Sequence, residues 1–410
     1  MKRLFANELF DVKNKINKLK EDKDNVALFG DIQDTLLEYH YWLESKHSFR
    51  KLRLKKLQGM KKNIENTKEI SLRIKASISK TMLHLKELKE LKLWLRNIGN
   101  SLPHLYYHKG DLRAYSYSTN SEGLKELSGD IHGKDGLELE LKCVRHAIDN
   151  GSKALLNDLT SIMRYGDITL MDKGFPFLME IKNSDASKSK SEKQLKNMQG
   201  VQRYLTDDFS MTLRGGGVIS QRIEMSEDEK SNKDTINEHL NKSKKNGYNF
   251  SKIEDGLYCL SFFHGSDYQN KVDTSELSSL ENPAFFSLNQ FKNNEDNSLF
   301  YPFALLIDDP QIFTSFMVGY YSIYFFFDAG LLHSTAKELN LEFNFISEFY
   351  LVEMRNKENI QIYSYTLTKA LVEFSSINWA IKQMFNSYNT ALNEYDKFKA
   401  IPEDSHPTNK

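Results

Sequence analysis

The sequence predicts an α/β protein, on three observations. Helical spacing runs from about Asp31 to Asn97, two short apolar runs flank Asp172-Lys173-Gly174, and the C-terminal third alternates aromatic strand-like runs with polar stretches. Composition divides the chain into a helical basic region (1–125), a central core (126–270) and an aromatic-rich α+β region (271–410).

In the N-terminal region, apolar residues recur at threes and fours: Leu54, Leu57, Ile70, Ile74, Ile78, then Met82, Leu85, Leu88, Leu91 and Leu95. That spacing predicts two or more long helices, packed as an antiparallel hairpin. Lys plus Arg equals Asp plus Glu at 56 each, so the whole chain carries no net charge. Between Lys46 and Arg96, however, 16 basic residues face only Glu65, Glu69, Glu87 and Glu90, a local excess of 12. Lys51, Arg53, Lys55, Lys56, Lys61 and Lys62 form its densest part and are the candidate nucleic-acid contacts, since such an arm attracts phosphates through counterion release. The alternative is the solvated face of a long helix.

Gly99 to Gly136 is irregular and holds Gly129-Asp130-Ile131-His132-Gly133. That pentapeptide looks like the first metal motif of calcineurin-like phosphoesterases. No apolar strand precedes it and the companion motifs are absent, so it reads as a loop. Leu137 to Asn150 predicts a helix, and Ala154 to Met163 leads into GDITLMDKGFPFLMEIK at 166–182. Alternation along a strand places Glu180 and Lys182 on one face and Ile181 on the other. With a four-residue loop at 172–175, Asp167 lies directly across from Glu180 on the same face.

After a polar run, Leu195, Met198, Val201 and Leu205 keep helical spacing. Phe209 to Met225 reads as strand around Arg214-Gly215-Gly216-Gly217, where a turn outweighs a phosphate loop. A charged helix (about 227–245), a strand at Gly256 to Phe263 and a polar loop follow. Strands are expected at Phe300 to Ile307, across 312–327, at Phe343 to Met354 and at Gln361 to Tyr365, before a helix from Thr366 to about Lys399.

The uncharged stretch Pro310 to Phe327 approaches membrane-spanning length, but its aromatic and β-branched content and flanking Asp308, Asp309 and Asp328 predict two buried strands joined near Gly319 and no membrane partner. The N-terminus lacks the apolar core of a secretory signal, so a cytoplasmic location is expected. Cys143 and Cys259 are the only cysteines, which excludes a disulfide scaffold or a Cys-based zinc site. His132, His146, His239 and His264 show no metal-ligand spacing.

The order helix, strand with Asp167, strand ending Glu180-Ile181-Lys182, helix with glutamines resembles the PD-(D/E)xK phosphodiesterase superfamily, the restriction-endonuclease-like nucleases, and among them RecB-like and lambda-exonuclease-like members. The resemblance covers about residues 137–225. Gly166 stands where the family's proline would be, and Met198 where the Tyr of a Gln-Leu-x-x-Tyr element beginning at Gln194 would be. The resemblance implies a restriction-endonuclease-like core, a mixed sheet flanked by helices. It also implies Mg²⁺ or Mn²⁺ held by Asp167, Glu180 and a helix glutamate, Glu138 ahead of Glu140. Lys182 would orient the attacking water or stabilise charge on the phosphate, and Gln194 and Gln199 would complete the catalytic set. The implied activity is that of a metal-dependent nuclease acting on DNA ahead of RNA, in anti-phage defence or a mobile element, with a homo-oligomer or an activating partner protein left open. The rivals are a catalytically inactive PD-(D/E)xK module that binds nucleic acid or assembles, and an interaction protein whose hairpin is an ordinary surface ion pair.

Overall fold

Helix dominates the first hundred residues, as the spacing requires. In the computed structural model, which describes residues 2–399 apart from 63–66, 122, 173, 183–187, 211, 216–219, 223–224, 226, 269–271, 294–298, 339–341, 347–350 and 356–360, the chain is a mixture of helix and small antiparallel sheets. Its contacts group into two units, residues 1–222 with 290–319, and 223–289 with 320–410. The expected boundary near 125 is not an edge of either unit: the helical region and the central hairpin belong to one unit, and the edge falls at 222/223.

The first unit opens with α1 (Ala6–Glu21), α2 (Val26–Lys61) and α3 (Lys68–Gly99). Asn25 caps α2 by accepting from the Leu28 amide at 2.9 Å, and Thr67 caps α3 through the Ile70 amide at 3.3 Å. α2 and α3 pack on each other, burying Phe29, Ile32, Leu36 and Leu43 from one and Leu88, Leu91 and Leu95 from the other. Toward their connection the burial thins: Ile74 stays buried, whereas Phe49, Leu52, Leu72, Met82 and Leu83 are exposed. Two short helices, α4 (Ser101–His104) and α5 (Lys109–Ala114), lead to a loop and then to α6 (Leu137–Asp149).

Strands β1 (Ala154–Leu156), β2 (Ile168–Leu170) and β3 (Phe177–Met179) form a three-stranded sheet in the order β1-β2-β3. The outer edge of β1 is closed by Gln33 of α2, which donates to the Ala154 carbonyl at 2.9 Å and accepts from the Leu156 amide at 2.8 Å. Helix α7 (Lys188–Asp207) follows, then β4 (Phe209–Ser210) and β5 (Ser220–Gln221), which pair only with each other. All described strand pairs are antiparallel, where a mixed sheet was expected, because the strand after α7 does not join the β1-β2-β3 sheet.

The segment that returns to this unit corrects two strand expectations. Phe303–Leu306 is one helical turn after Pro302, and Pro310–Val318 is a helix. Its aromatic content favours a strand, but its ends decide: the Asp309 carboxylate accepts from the Ile312 amide at 2.8 Å, Pro310 opens the first turn, and Gly319 closes the helix at φ 85°. Ile312, Phe313 and Phe316 are buried, and this helix packs on α1, whose Leu9, Val12, Ile16 and Leu19 are also buried. Among the described residues, no helix is long and apolar enough to cross a membrane.

The second unit has α8 (Lys233–Asn246) packed on a sheet of β6 (Tyr248–Glu254), β7 (Leu257–Phe263), β8 (Pro283–Ser287) and β9 (Tyr321–Asp328), ordered β6-β7-β9-β8. A meander of β10 (Glu342–Ile346), β11 (Leu351–Arg355) and β12 (Gln361–Ser364) precedes helices Thr366–Glu373 and Ile377–Lys399. The single helix expected there breaks at Phe374, which takes a left-handed φ of 58°. Glu254 caps the second helix by accepting from the Ile377 amide at 2.6 Å.

Candidate active site

The ladder between β2 and β3 pairs Ile168 with Met179, Thr169 with Leu178 and Leu170 with Phe177. One step further along that register, Asp167 stands across from Glu180, the alignment a 172–175 loop requires. The Asp167 amide donates to the Met179 carbonyl at 2.8 Å, and its carboxylate oxygen Oδ2 accepts from the Ile181 amide at 2.9 Å. Asp167 therefore fixes the chain on both sides of Glu180. Lys182 follows, its Nζ 3.8 Å from the Glu180 carboxylate and 3.5 Å from Oε1 of Gln194 on α7.

The other carboxylates come from the flanking elements. Leu137, Glu140 and Val144 lie three and four residues apart on the buried face of α6, and Glu140 is 3% exposed, whereas Glu138 points to solvent. Glu140, and not Glu138, is thus the helix glutamate at this site. Asp158, from the turn after β1, is the fourth carboxylate. Neighbouring Asn157 organises that turn: its amide donates to the Asp167 carbonyl at 3.0 Å, its side-chain Nδ2 donates to the Tyr165 carbonyl at 2.8 Å, and its Oδ1 accepts from the Thr169 hydroxyl at 2.7 Å.

Lys134 stands at the centre. Its Nζ lies 2.9 Å from Asp158, 3.1 Å from Glu140 and 3.3 Å from Asp167. Burial opposes the charge on Lys134, but the carboxylates, led by Asp158, outweigh it and push its pKa up. Burial raises the Glu180 carboxyl, and the Asp167 charge raises it further against Lys182, Lys125 and Lys134. Glu140 is raised in the same way, by burial first and Asp167 second. Lys125 feels the Glu180 charge and sits 4.1 Å above the Tyr165 ring, and its burial lowers its pKa.

Of the residues expected here, Asp167, Glu180, Lys182 and Gln194 come together. Glu138 and Gln199 are exposed, Gln199 on α7 five residues beyond Gln194. Lys134, Asp158 and Lys125 were not foreseen. Asp158, directly after an apolar strand, was the one with a local signal, whereas nothing in sequence ties Lys134 to a hairpin 33 residues downstream. The donors are carboxylate oxygens, the type that suits Mg²⁺ or Mn²⁺. Their arrangement is another matter: among the described residues, no group of three or more His, Cys, Asp or Glu side chains is disposed to hold a metal ion. A divalent cation fits this site in kind and not in geometry while the Lys134 ammonium is within reach of three of the carboxylates.

The basic arm places Lys51, Arg53, Lys55, Lys56, Lys61 and Lys62 on exposed positions at the C-terminal end of α2. The Gly129–Gly133 loop is structural, as its sequence context indicates: the buried Glu44 carboxylate accepts from the Ile131 amide at 2.9 Å and the His132 amide at 2.7 Å. His239 is a satisfied core histidine between the hydroxyls of Ser251 (2.6 Å) and Ser261 (2.9 Å), its pKa lowered by burial to about 3. Gly216 and Gly217 lie outside the described residues. Compared with protein-family models, with curated proteins and with solved structures, the chain matches none.

Proposed function

We propose that this chain is a metal-dependent phosphodiesterase that hydrolyses nucleic acid, DNA ahead of RNA, on a restriction-endonuclease-like core. The observation that carries the reading is the placement of Asp167 opposite Glu180, with Lys182 beside Glu180 and Gln194 of α7 beside Lys182. The carboxylates of Asp167, Glu180 and Glu140 would hold Mg²⁺ or Mn²⁺, which would lower the pKa of a water and neutralise charge on the scissile phosphate. The protein's own part is electrostatic and positional. Asp167 anchors the Ile181 amide and so aims Glu180 and Lys182. Lys182, on the open side, can meet a phosphate oxygen or orient the attacking water, with Gln194 3.5 Å from its Nζ. The exposed lysines and arginines of α2 supply sequence-independent attraction for the phosphate backbone.

The test is cleavage of DNA and RNA oligonucleotides in Mg²⁺ and Mn²⁺ by the wild type, Asp167→Asn and Lys182→Ala. Metal-dependent cleavage lost in both variants supports the reading, and equal cleavage by all three removes it. The Lys134 ammonium lying among three of the carboxylates favours a second reading, a nucleic-acid-binding or assembly module on the same fold. That module would bind nucleic acid equally well after Asp167→Asn and cleave nothing.

A further inference from the structure

Three of the four carboxylates are satisfied by a cation that belongs to the chain itself. We infer that the Lys134 ammonium occupies the cation position of this site, and that a divalent metal enters only once Lys134 has withdrawn. This rests on the metal-dependent reading of Asp167 and its neighbours. It adds a regulatory element to that site, a tethered cation in competition with the metal.

The geometry carries it. Nζ of Lys134 reaches Glu140, Asp158 and Asp167 at 2.9–3.3 Å, and these residues come from α6, the turn after β1 and the position just before β2. A metal bound by the same oxygens at about 2.1 Å would lie within a few ångströms of a fixed positive charge, and their repulsion in this half-buried place is strong. The loop bearing Lys134 is tied down on its N-terminal side. Arg96 of α3 donates to the Ser128 carbonyl at 2.8 Å and the Gly129 carbonyl at 2.6 Å, Lys92 pairs with Asp130 at 2.5 Å, and Glu44 of α2 holds the Ile131 and His132 amides. The two helices that carry the basic arm therefore also hold the loop that delivers Lys134.

The experiment is Mn²⁺ binding by the full chain, followed by the free-ion paramagnetic resonance signal without nucleic acid. It compares the wild type, Lys134→Met, and Lys134→Met with Asp167→Asn. Lys134→Met is expected to bind Mn²⁺ at least about tenfold more tightly than wild type, and Asp167→Asn to abolish that gain. Unchanged or weaker binding by a folded Lys134→Met protein would overturn the inference, leaving Lys134 as a structural ion pair. Should Lys134→Met fail to fold without metal, a cooperative melt restored by about 10 mM Mn²⁺ supports competition, and no restoration contradicts it. Tighter Mn²⁺ binding with no cleavage by any variant would keep this inference and remove the nuclease reading. Cleavage by the wild type with unchanged Mn²⁺ affinity in Lys134→Met would do the reverse.

Discussion

Gly166 holds the most constrained backbone position beside Asp167. Its φ is 70°, and a Cβ there would stand 2.8 Å from the Met179 carbonyl oxygen. A proline, fixed at negative φ, cannot adopt this conformation. Gly166→Ala should cost about 1–3 kcal/mol in a denaturant melt and displace Asp167, lowering cleavage along with stability. Glu180 offers a pH test. Its folded pKa is raised, so its contribution to stability is complete below the ordinary carboxylate value of about 4.3 and is lost as pH rises through the folded value. Glu180→Gln, which cannot ionise, should melt above wild type at neutral pH, and the gap should close toward about pH 4. A gap that widens on acidification would show that Glu180 is stabilised as a carboxylate. The choice of Glu140 over Glu138 was not legible beforehand. In LELELK every second residue is apolar, so the helix face is fixed only by the burial of Leu137 and Val144.

At the scale of elements, helices α3 and α6 were readable because apolar residues repeat at helical spacing and bury one face, whereas the buried face of α2 carries Gln33, His40, Glu44 and His47 among its apolar residues, which blurs its spacing. The β2–β3 hairpin was readable because a turn separates two apolar strands of matched length. Pro310–Val318 misled because Ile, Phe, Thr and Val suit either element, although the Asp309-Pro310 start and the Gly319 stop were present in sequence. The arm on α2 makes its own prediction. Changing Lys51, Arg53, Lys55, Lys56, Lys61 and Lys62 to Gln should weaken nucleic-acid binding and reduce the slope of log K against log salt by up to about 5, at roughly 0.9 per lost phosphate contact. These side chains are exposed, so the melting temperature should barely move. An unchanged slope in fluorescence anisotropy titrations would show that the arm's charge only solvates a helix.

At the scale of the molecule, the division of the chain was the least legible feature. Residues 290–319 rejoin the first unit, and such long-range pairing leaves no mark in local composition. The buried apolar face of α1 depends on it, together with Lys13, whose Nζ donates to the Ala304 carbonyl at 2.6 Å. A fragment ending at residue 222 should therefore be destabilised, by on the order of 1.5–3 kcal/mol for each α1 side chain fully uncovered, as a thermal melt would show. The most direct test of the nuclease reading is supercoiled-plasmid nicking in Mn²⁺, with wild type and Asp167→Asn compared at equal plasmid occupancy. Loss of nicking by at least about a thousandfold in Asp167→Asn, with plasmid binding retained, is the predicted result. Equal nicking by both proteins would contradict it.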